Sequence, residues 1–155
     1  MESAVDCVLV GNVDPGNGFS YQEHELKKMA GSFEVRWLGY REDIPDLLQT
    51  ADIFCLPSYR EGLPMAGLEA LATGLPVVTT DVPGCRETVD HNDNGYLVAW
   101  KDVRGLYQAL RALVDSPEKR CRFGQASRRK AEREFSQEKI VGQYLQLYQD
   151  ILTNP

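Results

Sequence analysis

The sequence predicts an α/β fold, a parallel sheet with helices on both faces, on the strength of three observations. Short apolar, β-branched segments such as VDCVLVGN (Val5–Asn12) and PVVTT (Pro76–Thr80) alternate with segments of helical spacing, as strand–helix–strand crossovers require. Glycine and proline turns punctuate the alternation. Beyond Val98 the pattern becomes wholly helical, so C-terminal helices follow the sheet.

The elements follow in order. Val5–Asn12 reads as a buried strand that runs into a glycine turn and the loop DPGNG. SYQEHELKKMA carries Ser20 and Glu23 at capping-box spacing and opens a helix. FEVRWLG (Phe33–Gly39) alternates as a strand does, EDIPDLLQTA is a short helix, and DIFCLPS (Asp52–Ser58) is a strand ending on proline. A helix from about Pro64 to Thr73, the strand Pro76–Thr80, a short helix CRETVDH and the strand Gly95–Ala99 repeat the order. Val103, Leu106, Leu110, Leu113 and Val114 then form a helical stripe. Ser116-Pro117 caps the next helix and supplies its first-turn proline. Phe135, Ser136 and Ile140 have the spacing of a hydrophobic staple around a last cap. The final helix carries Ile140, Val141, Tyr144, Leu145, Tyr148, Ile151 and Leu152 on one face. With no internal repeat, low-complexity tract or linker in view, one Rossmann-like domain over residues 1–155 is expected.

Composition narrows the function. The chain has 155 residues, 43% hydrophobic and 26% charged, the range of a soluble globular domain. No apolar run reaches the roughly 20 residues that span a bilayer, and a cytoplasmic protein is expected. Cys7, Cys55, Cys85 and Cys121 show no C-x-x-C pair, which argues against a zinc or redox motif and fits a reducing compartment. A net charge of −6 argues against a nucleic-acid partner. Residues 117–134 nevertheless carry seven basic and three acidic groups. A solvated helix face is the ordinary explanation, and a peripheral membrane contact is the alternative.

The chemistry concentrates between Arg60 and Val78. From Gly62 to Thr80 the only charged side chain is Glu69, amid small and apolar residues, and Glu61 stands eight positions before it. An unpaired carboxylate in apolar surroundings is costly, so hydroxyl donors of a ligand are a natural partner for Glu69. Pro64 suits the first turn of a helix, and Gly62 lets the chain come close to a bound group. Free N–H groups near residues 64–66 would then face outward with the positive end of the helix dipole, where a phosphate fits. In a parallel α/β sheet, ligands bind at the carboxyl ends of strands, which is where Glu61 lies.

The combination is more specific than its parts. PSYREGLPMAGLEALATGLPVVTTDVPGCRETVDHNDNGYLV (Pro57–Val98) resembles the donor-binding half of retaining, nucleotide-sugar-dependent glycosyltransferases of the GT-B fold, in particular family 4. The resemblance rests on the Glu61/Glu69 pair, the frame "PS..EG.P...LEA.A.G.PVV..D..G..E" and the strand "NG.LV". WLGYREDIPDLLQTADIFCLPS upstream and FGQASRRKAEREFS downstream also resemble that family, so nearly the whole chain is covered.

The resemblance implies that Glu61, as the catalytic-site carboxylate, lies beside the transferred sugar and that Glu69 binds the ribose hydroxyls. It implies that Gly62, Leu63, Pro64 and Met65 offer backbone contacts to sugar and diphosphate. It also implies that the loop GYREDI, with Arg41 and Ile44, reads the base. The donor would be a UDP- or GDP-sugar, with no separate cofactor and no metal. The family's first strand–helix unit, which carries an Arg and a Lys for the diphosphate, precedes the matching stretch. So does the N-terminal domain that binds the saccharide or lipid-linked acceptor. The chain is therefore expected to be one half of a GT-B fold, inactive alone and working in the cytoplasm or at the inner face of the membrane. Two rival readings are a non-catalytic nucleotide-sugar-binding module and a fragment of a GT-B nucleotide-sugar epimerase. Glu87, within the same frame, is expected to steady the loop near the site. His24 and His91 are expected at the surface.

Overall fold

The computed structural model describes residues 5–14, 20–33 and 35–153. It forms two compact units, residues 1–44 and 45–155. The loop residues 15–18 of DPGNG lie outside the described residues.

The first unit pairs strands β1 (Cys7–Leu9) and β2 (Val35–Trp37) in parallel, Cys7 opposite Val35 and Leu9 opposite Trp37. Helix α1 (Glu23–Phe33) makes the crossover and packs on β2. Two sequence expectations change here. Strand β1 is exposed rather than buried, because among the described residues it is hydrogen-bonded to β2 alone. The capping box also shifts. The Ser20 hydroxyl is taken by the Asp14 N–H at 3.1 Å, the helix starts at Glu23, and Glu25 accepts the Gln22 N–H at 2.8 Å. Phe33 ends α1 instead of opening β2. Helix α2 (Ile44–Thr50) carries the chain into the second unit.

The second unit is built on strands β3 (Phe54–Leu56), β4 (Val77–Thr80) and β5 (Gly95–Val98), all parallel, with β4 central and buried throughout. Helix α3 (Met65–Thr73) connects β3 to β4 and packs on both. A 3-10 turn, Arg86–Thr88, replaces the expected short helix between β4 and β5. Helices α4 (Val103–Val114), α5 (Pro117–Glu134) and α6 (Gln137–Thr153) follow. Val78 and Val98 on the sheet enclose a core with Ala109, Leu113 and Phe123 from α4 and α5. Ser116 and Ser136 cap as expected, accepting the N–H of Lys119 at 3.2 Å and of Lys139 at 3.4 Å. No residue of α6 is buried, and its apolar side chains, Tyr148 and Leu152 among them, are exposed.

Polar groups lock α5 onto the sheet. Asn94, wholly buried, accepts the Asp90 N–H at 2.7 Å and donates to the Thr88 carbonyl at 3.0 Å and to Ser127 Oγ at 3.4 Å. Lys130, 6% exposed, lies 3.0 Å from both Asp90 and Glu134. The hydrogen bond from Arg133 holds the Glu134 carboxylate below its ordinary range, against burial, with Lys130 helping. Arg128 caps α3 by donating to the Ala72 carbonyl at 2.6 Å, and Arg120 donates to the Leu113 and Val114 carbonyls. Four of the seven basic groups of residues 117–134 thus bond within the fold, and Lys130 is buried rather than on the solvated helix face that the sequence suggests.

Helix α3 ends on Gly74 in the left-handed region (φ 82°), with return bonds to the Ala70 and Leu71 carbonyls. Helix α5 crosses that end at Gly124, where a Cβ would strike the Gly74 carbonyl oxygen. Gly124→Ala is therefore expected to cost about 2 kcal/mol by overpacking and lower the melting temperature by about 6 °C. Gly142→Ala on exposed α6, where a Cβ meets nothing, should instead raise it slightly. Thermal melts of the two variants check both signs.

Candidate functional site

Parallel register brings the ends of β3, β4 and β5 to one edge, so the loops after Leu56, Thr80 and Val98 emerge side by side. The loop after β3 carries Ser58, Glu61, Gly62 and Leu63 into α3. Pro64 is the N-cap of α3, not its first helical residue: its φ of −70° and ψ of 111° are extended, and its carbonyl accepts the Leu68 N–H at 3.1 Å. Since no side chain caps this end, the N–H groups of Met65, Ala66 and Gly67 have no partner among the described residues. The free donors thus sit one residue later than the sequence suggests, because proline itself brings none.

The two carboxylates differ in setting. Glu61 is half-buried, and its Oε1 accepts the Ser58 hydroxyl at 2.7 Å. Its Oε2 has no partner among the described residues. Glu69 stands one turn beyond Met65 on the same face of α3. That face is open at Met65 (65% exposed) and Ala66, whereas Gly67, Ala70 and Leu71 are buried on the other side. Glu69 is half-buried, and its carboxylate makes no hydrogen bond or ion pair among the described residues. Gly62, Leu63, Pro64 and Met65 link the two carboxylates, with the Leu63 and Met65 side chains exposed.

The loop after β4 holds this arrangement from the side. Gly84 has φ 84°, and a Cβ there would lie 2.6 Å from the Glu61 carbonyl oxygen and closer still to that of Gly62. Only a glycine allows so near an approach. The Thr80 hydroxyl donates to the Ser58 carbonyl, and that of Thr79 to the Leu56 carbonyl at 2.7 Å. Thr88 of the same loop packs on the first turn of α3, where a Cβ at Gly67 would meet Thr88 Cγ2 at 3.3 Å. Thr80 escapes sequence reasoning; Ser58 and Gly84 stand in the motif frame, but the sequence assigns neither of them a role at the site.

Glu87 does not play the steadying part expected of it. It is exposed, with no hydrogen bond or ion pair among the described residues. Its neighbours do that work instead: Arg86 pairs with Asp81 at 2.9 Å, and the Thr88 hydroxyl donates to the Cys85 carbonyl at 2.7 Å. Cys85 is buried, and His91, at the surface, accepts the Leu97 N–H at 3.1 Å.

Arg41 and Ile44 belong to the first unit. Arg41 is exposed and forms a two-pronged pair with Asp43, one bond at 2.7 Å. That hydrogen bond raises the Arg41 pKa and lowers that of Asp43. Ile44 is half-buried at the start of α2.

Among the described residues no three His, Cys, Asp or Glu side chains come together as a metal-ligand set, and no helix is long and apolar enough to cross a membrane. An open groove of about 220 Å³ runs along the strand ends from Pro57 and Thr80 to Trp100 and Leu106. Neither Glu61 nor Glu69 lines it.

Gly84→Ala should force the β3–α3 loop away from the β4 loop. Faster amide hydrogen exchange confined to residues 58–67 and 81–88, with the β4 amides unchanged, is the expected result.

Comparison with known proteins identifies the family and the fold. The family described as glycosyl transferases group 1 matches residues 1–130. The N,N'-diacetylbacillosaminyl-diphospho-undecaprenol alpha-1,3-N-acetylgalactosaminyltransferase of Campylobacter jejuni is 31% identical over 154 residues, covering 99% of this chain and 39% of that protein. The UDP-Gal:alpha-D-GlcNAc-diphosphoundecaprenol alpha-1,3-galactosyltransferase of Escherichia coli is 32% identical, covering 95% of this chain and 37% of its own. The crystal structure of HepE from Anabaena in complex with UDP superimposes with a TM-score of 0.84 at 24% identity, covering 94% of this chain and 41% of that one. The chain thus spans about two fifths of the length of these relatives. Its α/β fold of parallel strands flanked by helices is that of part of a GT-B glycosyltransferase. The chain belongs to the glycosyl transferases group 1 family.

Proposed function

We propose that this chain is the donor-binding part of a glycosyltransferase that moves a hexose from a nucleotide-diphospho-sugar to an acceptor with retention of anomeric configuration. The observation that carries the reading is the run from Glu61 to Glu69. Two carboxylates with oxygens unpartnered among the described residues flank three N–H groups that likewise have no partner there, at the start of a nine-residue helix. Each part answers one part of such a donor. The open N–H groups and the helix dipole suit a diphosphate. Glu69, one turn in, suits the ribose hydroxyls, and Glu61 suits the sugar hydroxyls near the reacting carbon.

In the reaction the bond from the anomeric carbon to the diphosphate oxygen breaks, and negative charge grows on the leaving group. Fixed donors aimed at that charge stabilise it without reorganising. The start of α3 would contribute part, and basic groups of the complete enzyme the remainder. Glu61 Oε2, which has no protein partner among the described residues, would hold the sugar and oppose the positive charge that develops on its ring. Gly62, Leu63, Pro64 and Met65 would line the path between. No metal or separate cofactor enters this scheme.

The names of the relatives support a UDP-sugar over a GDP-sugar, and a diphosphate-linked lipid as acceptor, bound by the N-terminal domain of the complete enzyme. Such an acceptor would set the enzyme at the cytoplasmic face of a membrane. The transferase names also favour transfer over epimerisation or a purely binding role.

Calorimetric titration with UDP-, GDP- and ADP-sugars tests the donor. A measurable affinity for one nucleotide sugar is expected, weakened roughly tenfold or more by Glu69→Ala through loss of charge-assisted hydrogen bonds. Unchanged nucleotide affinity in Glu69→Ala would refute the ribose role.

A further inference from the structure

We infer that Ser58, held by Thr80, is a positioning residue that sets the orientation of the Glu61 carboxylate toward the donor sugar; the inference rests on the sugar-binding role of Glu61. The geometry is a short chain of hydrogen bonds across two strands. The buried Thr80, last residue of β4, donates its hydroxyl to the Ser58 carbonyl. Ser58 then donates its own hydroxyl to Glu61 Oε1 at 2.7 Å. No other side chain or backbone group among the described residues bonds to the Glu61 carboxylate.

A glutamate has three rotatable bonds and, on an open loop, would sample many orientations. One hydrogen bond to Oε1 removes most of that freedom and assigns the two oxygens different tasks. Oε1 is occupied by protein, and Oε2 is left for a ligand hydroxyl. The bond is to a charged acceptor, the stronger class of hydrogen bond. It is also anchored, because Thr80 fixes the backbone of Ser58 to the central strand, and the Gly84 main chain packs against the Glu61 and Gly62 carbonyls. The sheet thereby reaches Glu61 through two hydroxyls. A residue that merely stabilised the loop would influence every part of the donor alike. The Ser58 hydroxyl bonds to Glu61 alone among the described residues, and neither the Glu69 carboxylate nor the N–H groups of Met65, Ala66 and Gly67 bond to it, so its loss should fall first on the sugar contact.

The test is calorimetry on the full chain with UDP-glucose and with UDP, the ratio of the two affinities reporting the sugar contact. Ser58→Ala should lower the UDP-glucose preference about tenfold and leave UDP affinity within twofold. Ser58→Thr, which keeps the hydroxyl, should restore it. Thr80→Val should act in the same direction and Thr80→Ser should not, which covers the case of one variant failing to fold. In the double variant with Glu61→Ala, loss of Ser58 should add nothing further. If Glu61→Ala abolishes the preference while Ser58→Ala keeps it, the positioning role is wrong and the Glu61 reading stands. If Glu61→Ala itself keeps the preference, the Glu61 reading fails and the positioning role with it. Equal losses for UDP and UDP-glucose in Ser58→Ala would overturn the proposal in favour of a general loop defect.

Discussion

The site depends on one close approach, that of the Gly84 backbone to the carbonyls of Glu61 and Gly62. Two loops leaving neighbouring parallel strands would ordinarily be separated by side chains. Here they meet main chain to main chain, since a Cβ at Gly84 would lie within 3 Å of three backbone atoms. The contact is possible because residue 84 adopts a positive φ that glycine tolerates without strain. It fixes where the β3–α3 loop can run, and hence where α3 begins.

Much follows from that fixed start. Thr88, from the same β4 loop, packs on the first turn of α3 at Gly67, so the helix is pressed from the side that also carries the sheet. Its open face then carries Met65, Ala66 and Glu69, and its first three N–H groups emerge uncapped. At the other end Gly74, Arg128 and the crossing of α5 at Gly124 hold the helix in register. The basic helix that looks in sequence like a surface for anions is to a large extent a structural strap: Lys130, Arg120 and Arg128 bond to carboxylates or carbonyls of the same unit. On the proposed reading, the protein spends its cations on architecture here and offers the diphosphate main-chain donors instead.

The sequence carries much of this, though unevenly. The alternation of strands and helices is legible because strand β4, VVTT, is buried at every residue and reads as a continuous apolar and β-branched run. Caps at Ser116 and Ser136 are local and equally legible. Ser20 misleads because its hydroxyl is claimed by the backbone N–H of Asp14, six residues earlier. Strand β1 misleads because an apolar run predicts burial only when something lies against it. The Glu61/Glu69 pair stands out by charge alone in an apolar segment. The contacts that support it do not: Gly84 stands in the motif frame and Thr80 does not, but both act across strands, and contacts 22 or 23 residues apart leave no mark in local spacing. Glu87, conspicuous in the motif frame, faces solvent, while the unremarkable Arg86 and Thr88 beside it make the bonds.

The central claim is that a nucleotide sugar lies along the segment from Glu61 to Glu69. Amide chemical-shift mapping of the isotope-labelled chain during titration with UDP-glucose tests it most directly. The account predicts the largest shifts at Gly62, Met65, Ala66, Gly67 and Glu69, with the Gly62 shift absent when UDP replaces UDP-glucose. Shifts confined instead to the groove between Pro57, Thr80 and Trp100, with the amides at the start of α3 unmoved, would contradict it.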